Sequence, residues 1–445
     1  MMKKISYFII ILISLTSCAK VLDVEPYQSI SPEDALKDKT GIERAITGSY
    51  SVLGNVGSYG RYQIIVSDLA ADNLDWVATS VDYSEIDQND INANNIVIDG
   101  IWSANYDGIN RVNNILHKLP DIPDLTENEI NLFEGEARFL RALFHFNLVN
   151  FFGGVPVKTQ PTLDLSNIDQ ARNTRDEVYL QIIEDLTIAE EKLPASVAPG
   201  HAGSFSASAL LARIYLTRFH LSNVQEDAAK AIEKANKVIN EGGFTLTENY
   251  ADLFNGNNSE IIFQVVFDAQ NYNRLAQNFF PISLKGLYII APSADYMTCY
   301  DPIDSVRFTN SAMTDSTGKS YCNKYRDIVT GTDRVMVLRL AEMYLIKAEA
   351  LAYTNGSLDE IKASIDLVRA RAGLTGTTAS GIEELKTAIE NERRYEFAFE
   401  GHRWHDLVRT GRATAVMGIE EKQTLFPIPL SEMQTNKKMT QNEGY

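Results

Sequence analysis

Cys18 is the residue whose chemistry is easiest to predict from its position in the chain. Lys3 and Lys4 precede an apolar run over residues 5–15, and residues 15–17 lead into the cysteine as Leu, Thr and Ser. A basic start, a short apolar stretch and small residues before a cleavage point are typical of a secretory signal peptide. With residues 1–17 removed, a cysteine at the new N-terminus predicts a bacterial lipoprotein, which carries acyl chains such as palmitate on the thiol and the amine. The alternative is a transmembrane helix, but a span needs roughly 20 apolar residues and this run is too short.

Two further groups of residues could in principle bind a metal ion or catalyse hydrolysis. His402 and His405 lie three positions apart with Asp406 beside them, but a zinc site needs a third and a fourth ligand, and the chain has neither HExxH nor a CxxC pair. We therefore predict a structural role for this segment and no metal. Glycoside hydrolysis needs two facing carboxylates, and among 59 acidic residues spacing identifies no such pair. Because nucleophile elbows, Walker loops and dinucleotide fingerprints are also absent, we predict no enzyme and no cofactor.

Charge narrows the class of partner. Loss of residues 1–17 removes two lysines and takes the formal net charge from −18 to about −20. Such a surface repels phosphate backbones and anionic lipid, so the sequence predicts no nucleic-acid partner. The other two cysteines, Cys299 and Cys322, could form one disulfide in an exported protein or remain as two buried thiols.

Periodic apolar positions and helix end signals predict the elements that must position any site. Residues 54–98 show little helical periodicity, residues 244–338 are mixed with a β-rich stretch at 260–267, and residues 426–429 cannot be helical. Small residues recur at helical spacing, as at Ala341 and Ala348, which is typical of tetratricopeptide stacks. The expected fold class is mainly α: a superhelical stack of tetratricopeptide-like helical hairpins with long loops and a small irregular, β-containing region. A generic helical bundle is the alternative. The helices are predicted at 31–53, 102–119, 126–152, 174–193, 207–221, 226–241, 338–354, 358–372 and 382–410.

Four blocks of sequence carry a resemblance to a known family. They read ERRYEFAFEGHRWHDLVR at 392–409, EARFLRA through FFGGVP at 136–156, AEMYLIKAEA followed by VRARAG at 341–373, and PIP with a closing NEGY at 427–445. With the lipidation signal, they cover nearly the whole chain, which resembles the SusD/RagB-type nutrient-binding outer-membrane lipoproteins of Bacteroidetes. The resemblance implies four tetratricopeptide-like hairpins, a ligand face of long loops and no catalysis. It also implies a partner, a SusC-type TonB-dependent outer-membrane transporter, and a glycan or, in some relatives, a peptide ligand.

The resemblance and the shifts in composition divide the mature chain near residue 243. Residues 18–243 form an N-terminal helical region with ligand loops at 54–98. Residues 244–445 form a C-terminal region, which is mixed at 244–338, helical at 339–410 and a tail at 411–445. We expect the two regions to pack as one structural unit.

Candidate ligand-binding residues follow from the chemistry of sugars. A sugar has apolar C–H faces and a rim of hydroxyls, so its site needs flat aromatic rings beside planar polar groups. In relatives the ligand loops lie in the early part of the chain. The candidates in 54–98 are Arg61, Tyr62, Asp72, Asn73, Asp75, Trp76, Tyr83 and Asn89, and a second group is Tyr288, Tyr296 and Tyr300. For Trp76 the alternative to a ligand role is burial in the core.

The expected function is that of a lipid-anchored, surface-exposed outer-membrane protein that binds a nutrient, an oligosaccharide in the leading hypothesis, and delivers it to the transporter. The alternative is a peptide- or protein-binding helical-repeat scaffold, and a surface hydrolase is the least favoured. Exposed aromatic residues on a shared face would favour a glycan. An apolar groove along the hairpins would favour a peptide.

Overall fold

The protein is described by a computed structural model over residues 35–163, 168–256, 258–299 and 303–445. The predicted lipidation site Cys18, the predicted helix start at Ser31, and Tyr300 lie outside these residues. The α-helices within them are α1 Lys39–Leu53, α2 Tyr62–Leu69, α3 Val81–Asp87, α4 Ile96–Lys118, α5 Glu127–Phe152, α6 Arg175–Lys192, α7 Ser204–Ser222, α8 Gln225–Glu241, α9 Leu275–Phe279, α10 Ala294–Cys299, α11 Ser305–Ser311, α12 Leu340–Tyr353, α13 Leu358–Arg371, α14 Ile382–Phe397, α15 Arg403–Arg409, α16 Ala413–Met417 and α17 Leu430–Thr435. The strands are β1 Leu74–Trp76, β2 Ile261–Val265, β3 Ile290–Pro292, β4 Ala312–Thr314, β5 Ser320–Cys322 and β6 Val335–Arg339.

The long helices form a stack in which each packs against the next. Helix α4 packs on α5, α5 on α6, α6 on α7 and α7 on α8, and α12 then packs on α8, α13 and α14. Hairpins stack in this way because one hairpin alone cannot bury its apolar face. The predicted fold class, a mainly α stack of tetratricopeptide-like hairpins, is confirmed. None of the described helices is both long and apolar enough to cross a membrane.

Helix ends follow the sequence signals in most places. Helices α5 and α6 each begin with a capping box, in which Thr126 and Thr174 exchange hydrogen bonds with the glutamate three residues on. Helix α5 ends before Gly153, whose φ is 70°. Helix α1 begins at Lys39, where Asp38 accepts a hydrogen bond from Gly41 N and acts as the N-cap.

The segment 54–98 is more regular than the sequence predicts. It contains α2, β1 and α3, and α4 begins at Ile96, with Asn95 as its N-cap, rather than at Trp102. All eight residues of α2 are buried. A helix without a solvent face has no amphipathic period, so periodicity could not reveal it, and the prediction of a long irregular segment was wrong.

The helix predicted over 382–410 is two helices in the structure. Helix α14 ends at Phe397 and α15 begins at Arg403. Between them Phe399 and Gly401 have positive φ values of 63° and 82°, which an α-helix does not contain. The buried Asp68 carboxylate accepts hydrogen bonds from the backbone N–H groups of both residues, at 3.2 and 3.0 Å. This tertiary contact stabilises a break that no local signal in the motif predicts.

The described strands form three two-stranded antiparallel pairs, β1 with β3, β2 with β6, and β4 with β5. Strand β2 confirms the β-rich prediction at 260–267. The largest buried apolar cluster includes Ile42 of α1, Leu338 of β6 and Met439 near the C-terminus. Residues from both predicted regions therefore share one core.

Buried ion pairs connect the C-terminal helices to the strands. Arg339 at the end of β6 contacts Glu396 and Glu400 at 2.5 and 2.8 Å. Arg307 of α11 contacts Glu392 at 2.6 Å. All five side chains are buried. The glutamates of the 392–409 block therefore hold this segment against β6 and α11, in keeping with the structural role that the sequence predicts for the block.

Candidate functional site

The pairing of β1 with β3 brings the two predicted groups of ligand residues together. Trp76 in β1 lies opposite Ile290 in β3, and Val77 N donates a hydrogen bond to Ile289 O at 3.0 Å. Tyr288 precedes this pair directly. The sequence treats residues 54–98 and Tyr288 as separate candidates, since Trp76 and Tyr288 are 212 positions apart. The structure brings Trp76 and Tyr288 to neighbouring positions of one antiparallel pair, and we call residues 74–77 together with 288–292 the β1–β3 surface.

Trp76 lies at the boundary between the core and the β1–β3 surface. Its side chain is partly exposed and packs against the main core, so the ring is neither free in solution nor fully internal. Its indole Nε1 has no hydrogen-bond partner within the described residues. This N–H is itself buried, so it is an unsatisfied donor inside the protein rather than a group on the surface.

Carboxylates flank Trp76. Asp75 is an exposed residue, but its carboxyl group is partly shielded from water. This desolvation, and then the charge of Asp295, raises the pKa of the carboxyl. Burial, and then the charge of Asp75, raises the pKa of Asp87 to about 6, although the backbone N–H of Trp76 donates to this carboxylate. Two carboxylates near Trp76 therefore supply hydrogen-bond acceptors.

Arg61, Tyr62 and Tyr83 form a compact group beside β1. The Arg61 guanidinium lies 4.8 Å from the centre of the Tyr62 ring, and Arg61 Nη2 donates to Tyr62 Oη at 3.1 Å. The Tyr62 and Tyr83 rings meet edge to face at 6.3 Å. Both tyrosines are more than nine-tenths buried. Arg61 Nε and Tyr83 Oη are buried and have no hydrogen-bond partner in the described part of the chain.

Tyr288 lies two residues before β3 and has a left-handed backbone conformation. Its φ is 51°, its ring is partly exposed, and the Lys319 ammonium lies 4.8 Å from the ring centre. The residues before it include three exposed aliphatic side chains, Ile282, Leu284 and Leu287. The edge of the β1–β3 surface is therefore apolar.

Asn73 and Tyr296 do not reach the surface. Both are fully buried. Asn73 Nδ2 donates to Asp68 at 2.7 Å, and its Oδ1 accepts from Arg394 Nε at 3.0 Å, so the amide is occupied inside the protein. The Tyr296 ring packs 4.7 Å from that of Phe399. In this structure both residues position their neighbours and neither is available to contact a ligand.

Two arginines of the 392–409 block hold the start of β1 in place. Arg403 forms two hydrogen bonds with the Asp72 carboxylate, at 2.7 and 2.8 Å. Arg394 Nη2 donates to Asp72 O at 2.9 Å and lies 3.2 Å from its carboxylate. Burial opposes ionisation of Asp72, but the charges of both arginines lower its pKa. Sequence reasoning missed this positioning role because the partners are more than three hundred residues apart.

The histidines and cysteines show no metal geometry. His405 Nε2 lies 3.1 Å from Ser67 Oγ, and burial lowers the pKa of His405 to about 4. The His402 ring stacks on Phe397 at 4.7 Å. Across the described ranges, no group of three or more His, Cys, Asp or Glu residues is arranged to hold a metal ion. Cys299 and Cys322 are free thiols rather than a disulfide.

Two family models match the chain. One, described as starch-binding associating with outer membrane, matches residues 20–216, and that of the SusD family matches residues 303–422. SusD-like protein P2 of Formosa agariphila is 26% identical over 510 residues, which cover 98% of this chain and 99% of that protein. The starch-binding protein SusD of Bacteroides thetaiotaomicron is 26% identical over 420 residues, which cover 72% and 74% of the two chains. The solved structure of a laminarin binding SusD-like protein is 28% identical, covers 92% of this chain and 100% of that chain, and has a TM-score of 0.80.

The stacked hairpins and the adjacent loops define a helical-repeat protein, and the candidate site lies on its loops and short strands. The two family matches together extend over more than half of the chain. The chain belongs to the SusD/RagB family, and the family predicted from the sequence is confirmed.

Proposed function

We propose that the protein binds an oligosaccharide at the β1–β3 surface. The observation that supports this proposal is the pairing of β1 with β3, in which Trp76 lies opposite Ile290, two residues after Tyr288. Aromatic rings there can pack against the apolar faces of sugars. Related proteins described as starch-binding and laminarin binding support a glycan as the ligand class.

Each group of the site has a distinct role in this proposal. The rings of Trp76 and Tyr288 supply contact area. Asp75 is exposed and accepts hydrogen bonds from sugar hydroxyls. The partly exposed Arg61 side chain, which packs on the Tyr62 ring, offers its guanidinium to them.

The role proposed is binding without catalysis. The family descriptions are of binding proteins. Asp75 and Asp87, the carboxylates beside Trp76, are close enough for the charge of Asp75 to raise the pKa of Asp87, whereas glycoside hydrolysis needs two carboxyl groups on either side of the scissile bond.

The helical stack offers little support for the peptide-scaffold alternative. A cleft of about 270 Å³ lies between α12, α14 and α15. Its lining includes Glu383, Lys386, Glu390 and Arg412. A groove that takes the apolar face of a peptide is lined by apolar side chains, and this cleft is charged.

The partner and the location in this proposal are those that the family resemblance implies. Cys18 carries the lipid that anchors the protein at the outer membrane, and a SusC-type TonB-dependent transporter receives the ligand. The exposed aliphatic residues Ile282, Leu284 and Leu287 adjoin the β1–β3 surface. Because exposed apolar patches mark interaction sites and a receiver must lie beside the ligand, this edge suits contact with the transporter.

Trp76→Ala tests the site. Calorimetric titration with starch and laminarin oligosaccharides is expected to show a loss of more than about 1 kcal/mol of binding free energy, as for other aromatic anchors. The far-UV circular dichroism spectrum should not change. Tyr353→Ala, which removes an exposed aromatic residue from α12, is the matched control and should bind like the wild type. An unchanged Trp76→Ala isotherm would remove Trp76 from the site, and a loss confined to Tyr353→Ala would favour the helical-scaffold alternative.

A further inference from the structure

A second arginine–tyrosine pair repeats the geometry of Arg61 and Tyr62. Arg274 Nη2 donates to Tyr272 Oη at 2.8 Å, and the guanidinium lies 5.1 Å from the centre of the tyrosine ring. The corresponding values for Arg61 and Tyr62 are 3.1 and 4.8 Å. The two pairs differ in exposure, because Tyr62 is buried whereas Tyr272 is 44% exposed. Tyr272 therefore presents an aromatic surface to solvent, and its hydroxyl is fixed by an arginine.

The loop that carries Tyr272 is held in one conformation by polar contacts. The Asp268 carboxylate accepts hydrogen bonds from the N–H groups of residues 270 and 271, each at 2.8 Å. The buried Asn273 donates through Nδ2 to Asp333 O at 2.6 Å, and its backbone N–H donates to Gly331 O at 2.9 Å. A ring on such a loop loses little conformational entropy when a ligand packs on it.

The exposed pair lies next to the loop that carries Arg61. A Cβ at Gly54 would lie 2.5 Å from Asn271 Nδ2, so residue 271 packs directly on Gly54. A Cβ at Gly60 would lie 2.2 Å from Gly54 O, so Gly60 also packs on Gly54. Arg61 follows Gly60, and Tyr272 follows Asn271. The two arginine–tyrosine pairs therefore flank the contact between these two loops.

We propose that Tyr272 and Arg274 form a second subsite for the same ligand, adjoining the Arg61 end of the β1–β3 surface. This inference rests on the proposed glycan-binding function. The exposed ring packs against the apolar face of one sugar unit. A guanidinium has five N–H donors, and Tyr272 and Gln277 use two of them within the described residues. The remaining donors face the hydroxyls of the same unit or the next.

The subsite implies that the ligand is a chain of several sugar units. A short sugar that occupies the β1–β3 surface does not need Tyr272, whereas a longer chain that passes Arg61 reaches it. Affinity should therefore increase with chain length, and the increase should depend on Tyr272.

The experiment is a calorimetric titration of the lipid-free protein with a disaccharide and successively longer starch and laminarin oligosaccharides. Tyr272→Ala is expected to weaken binding of the longest oligosaccharides by about five- to tenfold, in line with the loss of one aromatic contact. Binding of the shortest ligand that is measurable should stay unchanged. Tyr272→Phe keeps the ring, loses the hydrogen bond to Arg274 and should fall between the wild type and Tyr272→Ala. Circular dichroism spectra that match the wild type confirm that the variants are folded.

Three outcomes separate this inference from the function on which it rests. If Trp76→Ala weakens every chain length and Tyr272→Ala removes only the dependence on length, the subsite is supported. If Trp76→Ala weakens binding while Tyr272→Ala binds long oligosaccharides like the wild type, the subsite is refuted and the proposed function stands. If the wild type binds no glycan in the panel, both are refuted.

Discussion

Glu396 is the buried carboxylate on which three arginines converge, and Glu396→Gln is a direct test of how much this cluster stabilises the fold. Glu396 is fully buried. It lies 2.5 Å from Arg339 and 3.3 Å from Arg307, and it also contacts Arg371. Burial alone would raise its pKa, but the charges of Arg371, Arg339 and Arg307 outweigh burial and hold the pKa far below the usual range of a glutamate. The side chain is therefore ionised in the folded protein at neutral pH.

The expected loss of stability follows from what each arginine retains. Glutamine has nearly the shape of glutamate, so the substitution creates no cavity and removes one negative charge. Removing one partner of a buried ion pair costs about 3–5 kcal/mol when the other charge is left without compensation. Here Arg307 keeps Asp304 and Glu392, Arg339 keeps Glu260 and Glu400, and Arg371 keeps Glu260. We therefore expect a loss at the lower end of that range, about 3 kcal/mol.

Urea unfolding followed by circular dichroism measures this loss as a fall in the midpoint at an unchanged slope. Glu383→Gln is the matched control, because Glu383 lies on the same helix with an 84% exposed side chain and pairs only with Lys386, at 2.7 Å, among the described residues. An exposed pair of this kind contributes at most about 0.5 kcal/mol. A loss of less than about 1 kcal/mol for Glu396→Gln, at an unchanged slope, would refute the reasoning, since the cluster would then be close to neutral in free energy.

The effect of Glu396→Gln on the free energy of unfolding should depend on pH. The folded pKa of Glu396 is lowered, so its contribution is present above the pKa of an unfolded glutamate, 4.5, and is lost as the pH falls toward the folded value. The stabilities of wild type and Glu396→Gln should therefore differ at neutral pH and converge as the pH falls below 4.5. A difference that stays constant across this range would mean that the charge of Glu396 is not what stabilises the fold.

Two further predictions concern a buried histidine and the lipid anchor. Burial lowers the pKa of His145 to about 4, so the ring stays neutral in the folded protein. In the unfolded chain the same ring has a pKa of 6.5 and is protonated below that pH, so protonation favours the unfolded state. The free energy of unfolding should fall by up to about 1.4 kcal/mol per pH unit between pH 6.5 and pH 4 for each such histidine. In His145→Gln the urea midpoint should therefore change less steeply with pH. An equal slope in the variant would contradict the assignment. Cys18→Ala should move the protein from the membrane fraction to the soluble fraction, because acylation of the thiol is the predicted anchor. Retention of the variant in membranes that contain the transporter would show that the barrel, rather than the lipid, is the main attachment.

The sequence predicts the long helices well because their signals are local. The capping boxes at Thr126 and Thr174 and the glycine after Phe152 lie within a turn of the boundaries that they set. The buried helix α2 and the break after Phe397 were missed, because burial on all sides and a distant carboxylate determine them.

The candidate site, too, could be predicted from the sequence only in part. Residue types identify Trp76, Arg61 and Tyr288 as suited to sugars. Their grouping depends on the pairing of β1 with β3, and no spacing along the chain encodes that pairing. Asn73 and Tyr296 have suitable side chains, but tertiary contacts with Arg394 and Phe399 keep them inside the protein.

The antiparallel pairing of Trp76 with Ile290 has a consequence for assembly. Closing so long a loop has an entropic cost that only the surrounding structure can offset, so this ribbon should be among the last parts to form during folding. A fragment that ends before β3 would then lack the surface at which we propose binding, even if its own helices folded. A nutrient that contacts both strands would connect distant lengths of the polypeptide, so its capture should raise the melting temperature of the whole molecule.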